Sequence, residues 1–281
     1  MTKFVFISDF FYEQIKGGAE SNDAVLVSFL QKKGHDVQKI QSHLFEENIK
    51  QIDPNKKSFI ISNFCNLQPP SKSFLKSETN YVIYEHDHKY LQSRNPAKYK
   101  NFIAPKNQIQ NLDFYSRAKR VFCQSSFHLN ILRKNLGDTV KLYNVSGNLW
   151  SKEQLNKITE LSSVAKSESY AILESKVAHK NTDYALQYCK KNSMAFCLIA
   201  PMDYEGFLNE LTKNKALVFF PKTPETLCRV AVEARMMNMG VITNRLLGAK
   251  YEPWFEEKGI SLIKKMSNKA EEVYGELQKS F

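Results

Sequence analysis

The feature that most constrains this chain is an alternation of short apolar runs, each about the length of a strand, with longer stretches of helical spacing. Lys3 to Ser8 is apolar, Gly17-Gly18 interrupts the chain, Glu20 to Lys33 has helical spacing and Val37 to Ile40 is again strand-like, which predicts a βαβ opening. Further strands are predicted at Ser58 to Phe64, Tyr81 to Tyr84, Arg120 to Cys123 and Val140 to Val145. The stretch from Ser151 to Glu168 turns polar and reads as a boundary. Beyond it strands at Tyr170 to Leu173, Ala195 to Ala200, Ala216 to Phe220 and Val241 to Thr243 alternate with helices at Asn181 to Lys191, Tyr204 to Lys213 and Thr226 to Met237. Lys264 to Gln278 reads as one amphipathic helix that closes the chain. The expected fold is α/β, with two Rossmann-like parallel-sheet domains (residues 1–150 and 165–263, the second shortened), a closing helix over 264–281, and a ligand cleft at the carboxyl ends of the strands.

With 281 residues, 42% of them hydrophobic, the chain is long enough for two packed cores, which excludes a stapled miniprotein or wholesale disorder. The five cysteines are odd in number and scattered, so neither a disulfide framework nor a zinc knuckle is expected. No apolar run approaches the roughly 20 residues of a membrane-spanning helix, and the N-terminus lacks a signal-peptide layout; a cytoplasmic protein, with peripheral contact to a membrane as a variant, is expected. Forty Lys and Arg against twenty-nine Asp and Glu leave a net charge of +11, which reflects either lysine-rich composition or attraction to an anionic partner: a nucleotide diphosphate, an acidic lipid surface or a nucleic acid.

Three turns carry candidate chemistry. Lys16-Gly17-Gly18-Ala19-Glu20 lies between a strand and a helix, where glycine lets the backbone approach a phosphate and the helix start offers N–H donors. Tyr84-Glu85-His86-Asp87-His88 closes a predicted strand. Its alternating faces suit a titratable His in a ligand cleft, a satisfied strand-end His, or, less well supplied with ligands, a metal pair. In Pro221-Lys222-Thr223-Pro224-Glu225 a proline ends a buried strand, and a second carboxylate, Glu233, follows eight positions after Glu225. On an ideal helix that spacing is about 12 Å of rise and about 80° of rotation, so the two carboxylates would address different parts of one extended ligand.

This constellation resembles the E-x7-E signature of the retaining GT-B glycosyltransferases of family four, whose P-S-x-x-E reads here Pro221 to Glu225 and whose E-A-M-A-x-G-x-P-V-I reads Glu233 to Ile242. Gly17-Gly18-Ala19-Glu20 resembles the family's N-terminal G-G-x-E loop, Glu85-His86-Asp87 its mid-domain H-D segment, Val121 to Leu132 its strand-Ser-helix unit, and His179-Lys180-Asn181 the K-G or K-N opening a helix of the second domain. The resemblance implies a retaining, metal-independent transfer of a sugar from a UDP- or GDP-sugar to a glycan, lipid-linked or other acceptor, with no cofactor. It implies that Glu233 holds the ribose, Glu225 and His86 act at the transferred sugar, and Lys180 neutralises the diphosphate with help from Gly17, Gly18 and Thr226.

Several positions depart from the family pattern. Its usual Arg is Ser175 here, leaving Lys176 or Arg229 to supply the charge, and Thr226-Leu227-Cys228 replaces its glycines. The rival readings are a GT-B nucleotide-sugar epimerase, an inactive GT-B scaffold, a basic nucleic-acid-binding protein using Lys with Tyr and Phe, and a glycosyltransferase whose acceptor is DNA.

Overall fold

The computed structural model describes residues 2–281. The chain forms two units, one from Met1–Leu149 with Lys269–Phe281 and the other from Trp150–Asn268.

Unit 1 is built on a six-stranded, wholly parallel sheet of β1 (Lys3–Ser8), β2 (Asp36–Gln41), β3 (Lys57–Ile61), β4 (Tyr81–Tyr84), β5 (Val121–Cys123) and β6 (Leu142–Asn144), in the order β2-β1-β3-β4-β5-β6. Alternate side chains of each strand feed opposite faces, as period-two geometry requires. Val5, Ile7, Phe59, Ile61 and Ile83 pack under the helices Pro69–Glu78 and Ser126–Leu136. Phe4, Phe6, Ile60, Val82 and Tyr84 pack under Gly18–Lys32 and Lys269–Gln278. The order reverses at β1, whose neighbours are β2 on one side and β3 on the other, so unit 1 has its topological switch point between β1 and β3.

Unit 2 carries a four-stranded parallel sheet of β7 (Ser167–Leu173), β8 (Phe196–Ile199), β9 (Asn214–Phe219) and β10 (Gly240–Thr243), ordered β10-β9-β7-β8, with its switch point between β7 and β9. One face is thickly covered by Lys152–Ser162, Tyr204–Thr212, Arg229–Met236 and Gly259–Ser267. The other has only the small cluster of Ile172, Val218 and Phe220 under Thr182–Lys191, and Leu198 of the edge strand β8 stays exposed.

Two expectations about segment boundaries need correction. The polar stretch after Ser151 begins with a regular helix: Ser151 and Gln154 form a reciprocal capping box, and Leu155, Ile158 and Leu161 are buried. Its polarity is that of a one-sided helix. The C-terminal stretch is two helices, Gly259–Ser267 and Lys269–Gln278, broken at Asn268, and the first packs in unit 2 while the second packs in unit 1 through Val273 and Leu277. Among the described residues no helix is long and apolar enough to cross a membrane.

Candidate active site

Ligands of open parallel sheets bind beyond the carboxyl ends of the strands at the switch point. In unit 2 that place is formed by residues 174–181, after β7, and 220–228, after β9. The two segments are tied together by the Lys222 N–H to the His179 carbonyl (2.8 Å) and the Asn181 side-chain amide to the Phe220 carbonyl (2.8 Å). They place Lys180 Nζ 2.9 Å from Glu225 Oε1, with Nζ also 5.5 Å from the Phe219 ring centroid. The pair is partly open to solvent, 33% for the lysine side chain and 17% for the glutamate. Burial alone would lower the Lys180 pKa, but the Glu225 carboxylate outweighs it and holds the ammonium above its ordinary value.

Glu225 does not stand at the mouth of a helix, as its sequence context suggests. The Glu225 N–H donates to the Leu246 carbonyl (2.8 Å), and Glu225 bridges Leu247 in parallel. The helix begins only at Arg229, after Cys228 in the left-handed region (φ 81°), and is eight residues long. Thr226 is therefore not a helix-start donor. The Glu225-Thr226 backbone lies directly on Gly248, where a Cβ would stand 2.4 Å from the Thr226 carbonyl oxygen. Gly248 was not singled out in the sequence, since only a non-local contact gives it a role.

Glu233 is a buried hub rather than an open carboxylate. Its Oε1 accepts hydrogen bonds from Trp150 Nε1 (2.9 Å), Tyr204 OH (2.7 Å) and Arg229 Nε (2.9 Å). Arg229 also donates to Gln154 Oε1 (3.0 Å) and its guanidinium stacks 4.4 Å from the Trp150 ring centroid. Burial beside the carboxylate pushes the Tyr204 hydroxyl well above its ordinary pKa, so it stays a proton donor to Glu233. Lys176 is exposed, and Ser175 is engaged in local turns, its N–H on Thr182 Oγ1 (3.2 Å) and its Oγ accepting from the Val177 N–H (3.2 Å).

The candidates of unit 1 are more enclosed. His86 has both ring nitrogens bound, Nε2 to Asp23 Oδ1 (2.7 Å) and Nδ1 to Gln124 Nε2 (2.5 Å). The Gln124 amide is oriented by Asn148, which donates to its Oε1 (3.0 Å), and by the Glu85 carbonyl. Its Nε2 therefore donates to His86 Nδ1, and the ring proton lies on Nε2, facing Asp23. Only 4% of the His86 side chain is exposed. Glu85 is fully buried and accepts from Lys89 Nζ, Tyr115 OH and the Asp87 N–H. Asp87 instead meets Arg94 Nε at 2.5 Å. The Glu85-His86-Asp87-His88 run is thus dispersed over separate partners, and among the described residues no group of three His, Cys, Asp or Glu side chains is placed to hold a metal ion. At Gly17 the Glu20 carboxylate folds back over the helix start, close enough that a Cβ on Gly17 would lie 2.1 Å from Glu20 Oε2. Burial raises the Glu20 pKa above its ordinary value.

The structure thus brings Lys180 and Glu225 together and Arg229 and Glu233 together in unit 2. Gly17, Gly18 and His86 belong to unit 1.

No family model matches the chain, and no curated protein matches it. Solved structures do. An Anabaena protein, HepE, in complex with UDP and glucose is similar over 100% of this chain and 92% of its own, with 12% identity and a TM-score of 0.56. The UDP-GlcNAc 2-epimerase of Methanocaldococcus jannaschii, in complex with UDP-GlcNAc and UDP, is similar over 99% of this chain and 100% of its own, with 11% identity and a TM-score of 0.51. An alpha-glucosyltransferase in complex with UDP and a 13-mer DNA containing an HMU base is similar over 97% of this chain and 94% of its own, with 10% identity and a TM-score of 0.50. At these identities the likeness is one of fold, and the fold is GT-B.

Proposed function

We propose that the protein is a retaining glycosyltransferase that takes its sugar from a UDP-sugar without a metal ion, with the donor diphosphate held in unit 2 by Lys180. The observation that carries this reading is the Lys180–Glu225 pair, half-open to solvent at the switch point between β7 and β9. A lysine already held charged at that place is suited to the negative charge that develops on a departing diphosphate. In the transfer, the bond from sugar C1 to the diphosphate oxygen breaks with its electron pair leaving on the diphosphate. The acceptor hydroxyl oxygen bonds to C1 and its proton passes to the departing phosphate oxygen. Glu225, ion-paired to Lys180, is a weak nucleophile. Attack on the face the diphosphate leaves therefore accounts for retention without a covalent enzyme intermediate.

The Glu233 hub supports this site as a positioning group: its Oε1 fixes Arg229, Trp150 and Tyr204, and the ribose role that the family resemblance implies would fall to Oε2. His86, held by Asp23 and Gln124, is likewise read as a positioning residue of unit 1. A second reading, in which DNA is the acceptor, is favoured by the net charge of +11 and by the presence of a DNA-bound glucosyltransferase among structures of the same fold.

The test is thermal stabilisation by UDP-, GDP-, ADP- and CMP-sugars in the presence of EDTA, followed by transfer assays on glycan, lipid-linked and DNA acceptors with the product anomer determined by NMR. A donor at a hundredfold excess over its dissociation constant stabilises by about 2.7 kcal/mol. The reading predicts that response for UDP-sugars in EDTA and a response reduced by at least about half in Lys180→Ala at the same donor concentration. An inverted product anomer, or stabilisation that EDTA abolishes, would overturn the mechanism.

A further inference from the structure

Unit 1 holds a charged cavity that shares no residue with the donor site proposed in unit 2. We propose that a pocket of about 200 Å³ beyond the carboxyl ends of β3 and β4 is a phosphate-group site, in which Lys72, Lys89 and Arg94 receive the terminal phosphate of a small ligand.

Its cations face the cavity and their counter-charges do not. The pocket is lined by Cys65, Lys72, Lys89, Arg94 and Asn111 on a floor of Phe64, with no Asp or Glu in the lining. The carboxylates that balance two of the cations, Glu85 for Lys89 and Asp87 for Arg94, stand outside that lining. Lys72 has none: among the described residues it makes no ion pair, and its single side-chain partner is Asn111 Oδ1 at 3.1 Å. Burial pushes its pKa down and outweighs the opposing charge of Cys65 and of Asp9, whose carboxylate accepts from Ser42 and from the Cys65 and Asn66 N–H groups.

Donor capacity is left over in the same place. Lys72 commits one of three N–H groups, to Asn111, and Lys89 commits two, to Glu85 and Asn63 Oδ1 (3.3 Å). Both ammonium groups lie near one ring, 5.7 Å and 5.4 Å from the Phe64 centroid, and both line the pocket. Arg94 joins them with an exposed guanidinium. Three cationic donors, Lys72 from the helix Pro69–Glu78 and Lys89 and Arg94 from the loop after β4, match a tetrahedral, doubly charged group with several acceptor oxygens. At about 30 Å³ per water the cavity holds the equivalent of six or seven waters, which suits a terminal phosphate with the body of the ligand outside.

Cys65 gives a local reporter. It is exposed and lines the pocket, whereas Cys197, exposed on the edge strand of unit 2, serves as an internal reference. The full chain is alkylated with iodoacetamide at pH 8.5, and the rate at each cysteine is read by peptide mass, with inorganic phosphate, glucose 6-phosphate, acetate or a short DNA duplex present. The expected result is slowing at Cys65 and not at Cys197 by phosphate and glucose 6-phosphate, with half-protection shifted about tenfold upward in Lys72→Gln and in Arg94→Gln, the scale of one lost charged hydrogen bond. Protection by the sugar phosphate at lower concentration than by phosphate assigns a phosphorylated sugar as the source, and equal protection assigns free phosphate; either supports the site. The proposal is overturned by equal slowing at Cys197, by no slowing at Cys65, by acetate protecting as well as phosphate, by protection unchanged in both variants, or by protection from the duplex alone.

Discussion

Glu85 at the end of β4 in unit 1 is fully buried, with Lys89, Tyr115 and a backbone N–H all on its carboxylate. Glu225, after β9 in unit 2, has one side-chain cation and remains 17% exposed. Both follow a parallel strand and both pair with a lysine, yet they do opposite work. A buried pair whose carboxylate is held by three donors organises a fold, and removing the cation strands the carboxylate. A half-open pair is worth little to stability and leaves its charge free to meet a ligand. Burial, rather than residue type or motif, separates the carboxylate locked in the core of unit 1 from the one proposed to serve the donor site in unit 2.

The largest effect that sharpens this comparison is expected in unit 1. Lys89→Ala leaves Glu85 buried without its cation and should cost about 3–5 kcal/mol in urea unfolding. Lys180→Ala, by contrast, should change stability by under about 1 kcal/mol while lowering kcat by roughly 10²–10³, the range for one group that stabilises transition-state charge. If the two variants behaved alike in both assays, the comparison would fail.

Glu233→Gln should fall between them, destabilising by about 1–3 kcal/mol because Arg229 loses its counter-charge, with a change in fluorescence from Trp150, whose indole N–H donates to Glu233. An unaltered Trp150 spectrum would mean that the hub does not persist in solution.

Acid stability tests the buried network of unit 1. His128 accepts from the Gln124 N–H at Nδ1 and donates from Nε2 to the Asp87 carbonyl, and burial, with charge from His88, holds it neutral well below its ordinary pKa. Below about pH 6.5 the unfolded chain binds a proton there that the folded chain refuses. Stability is therefore full above that pH and falls as pH drops, by up to about 1.4 kcal/mol per unit from this one group. The difference between wild type and His128→Asn, followed from pH 7.5 to 5, should show that slope in the wild type alone. The smallest effect is expected for Glu168→Gln: its partner Lys215 is at the surface and Glu168 is 91% exposed, so unfolding midpoint and turnover should both stay within error.

The sheet strands were legible because parallel strands buried on both faces read as unbroken apolar runs such as Phe4 to Ile7 and Tyr81 to Tyr84. The helix Lys152–Ser162 was masked by its polar outer face, although Ser151 and Gln154 spelled its capping box. The site was legible in part. Lys180 and Glu225 were visible as motif positions, but 45 residues separate them, and only the fold makes them a pair. The late helix start at Arg229 was hidden because the Glu225–Leu247 bridge and the contact with Gly248, both non-local, hold residues 225–228 out of the helix. Asp23, which holds His86, carried no signal at all: it is one polar residue within the Gly18–Lys32 helix.

The central claim, that unit 2 binds the donor through Lys180 at its switch point, is tested most directly by titrating UDP-glucose into wild type and Lys180→Ala in EDTA by calorimetry, with Lys89→Met as the unit 1 control. The account predicts binding in the wild type, at least about tenfold weaker binding in Lys180→Ala from the loss of a charged contact, and unchanged affinity in whatever fraction of Lys89→Met is folded. Equal affinity in wild type and Lys180→Ala would contradict it.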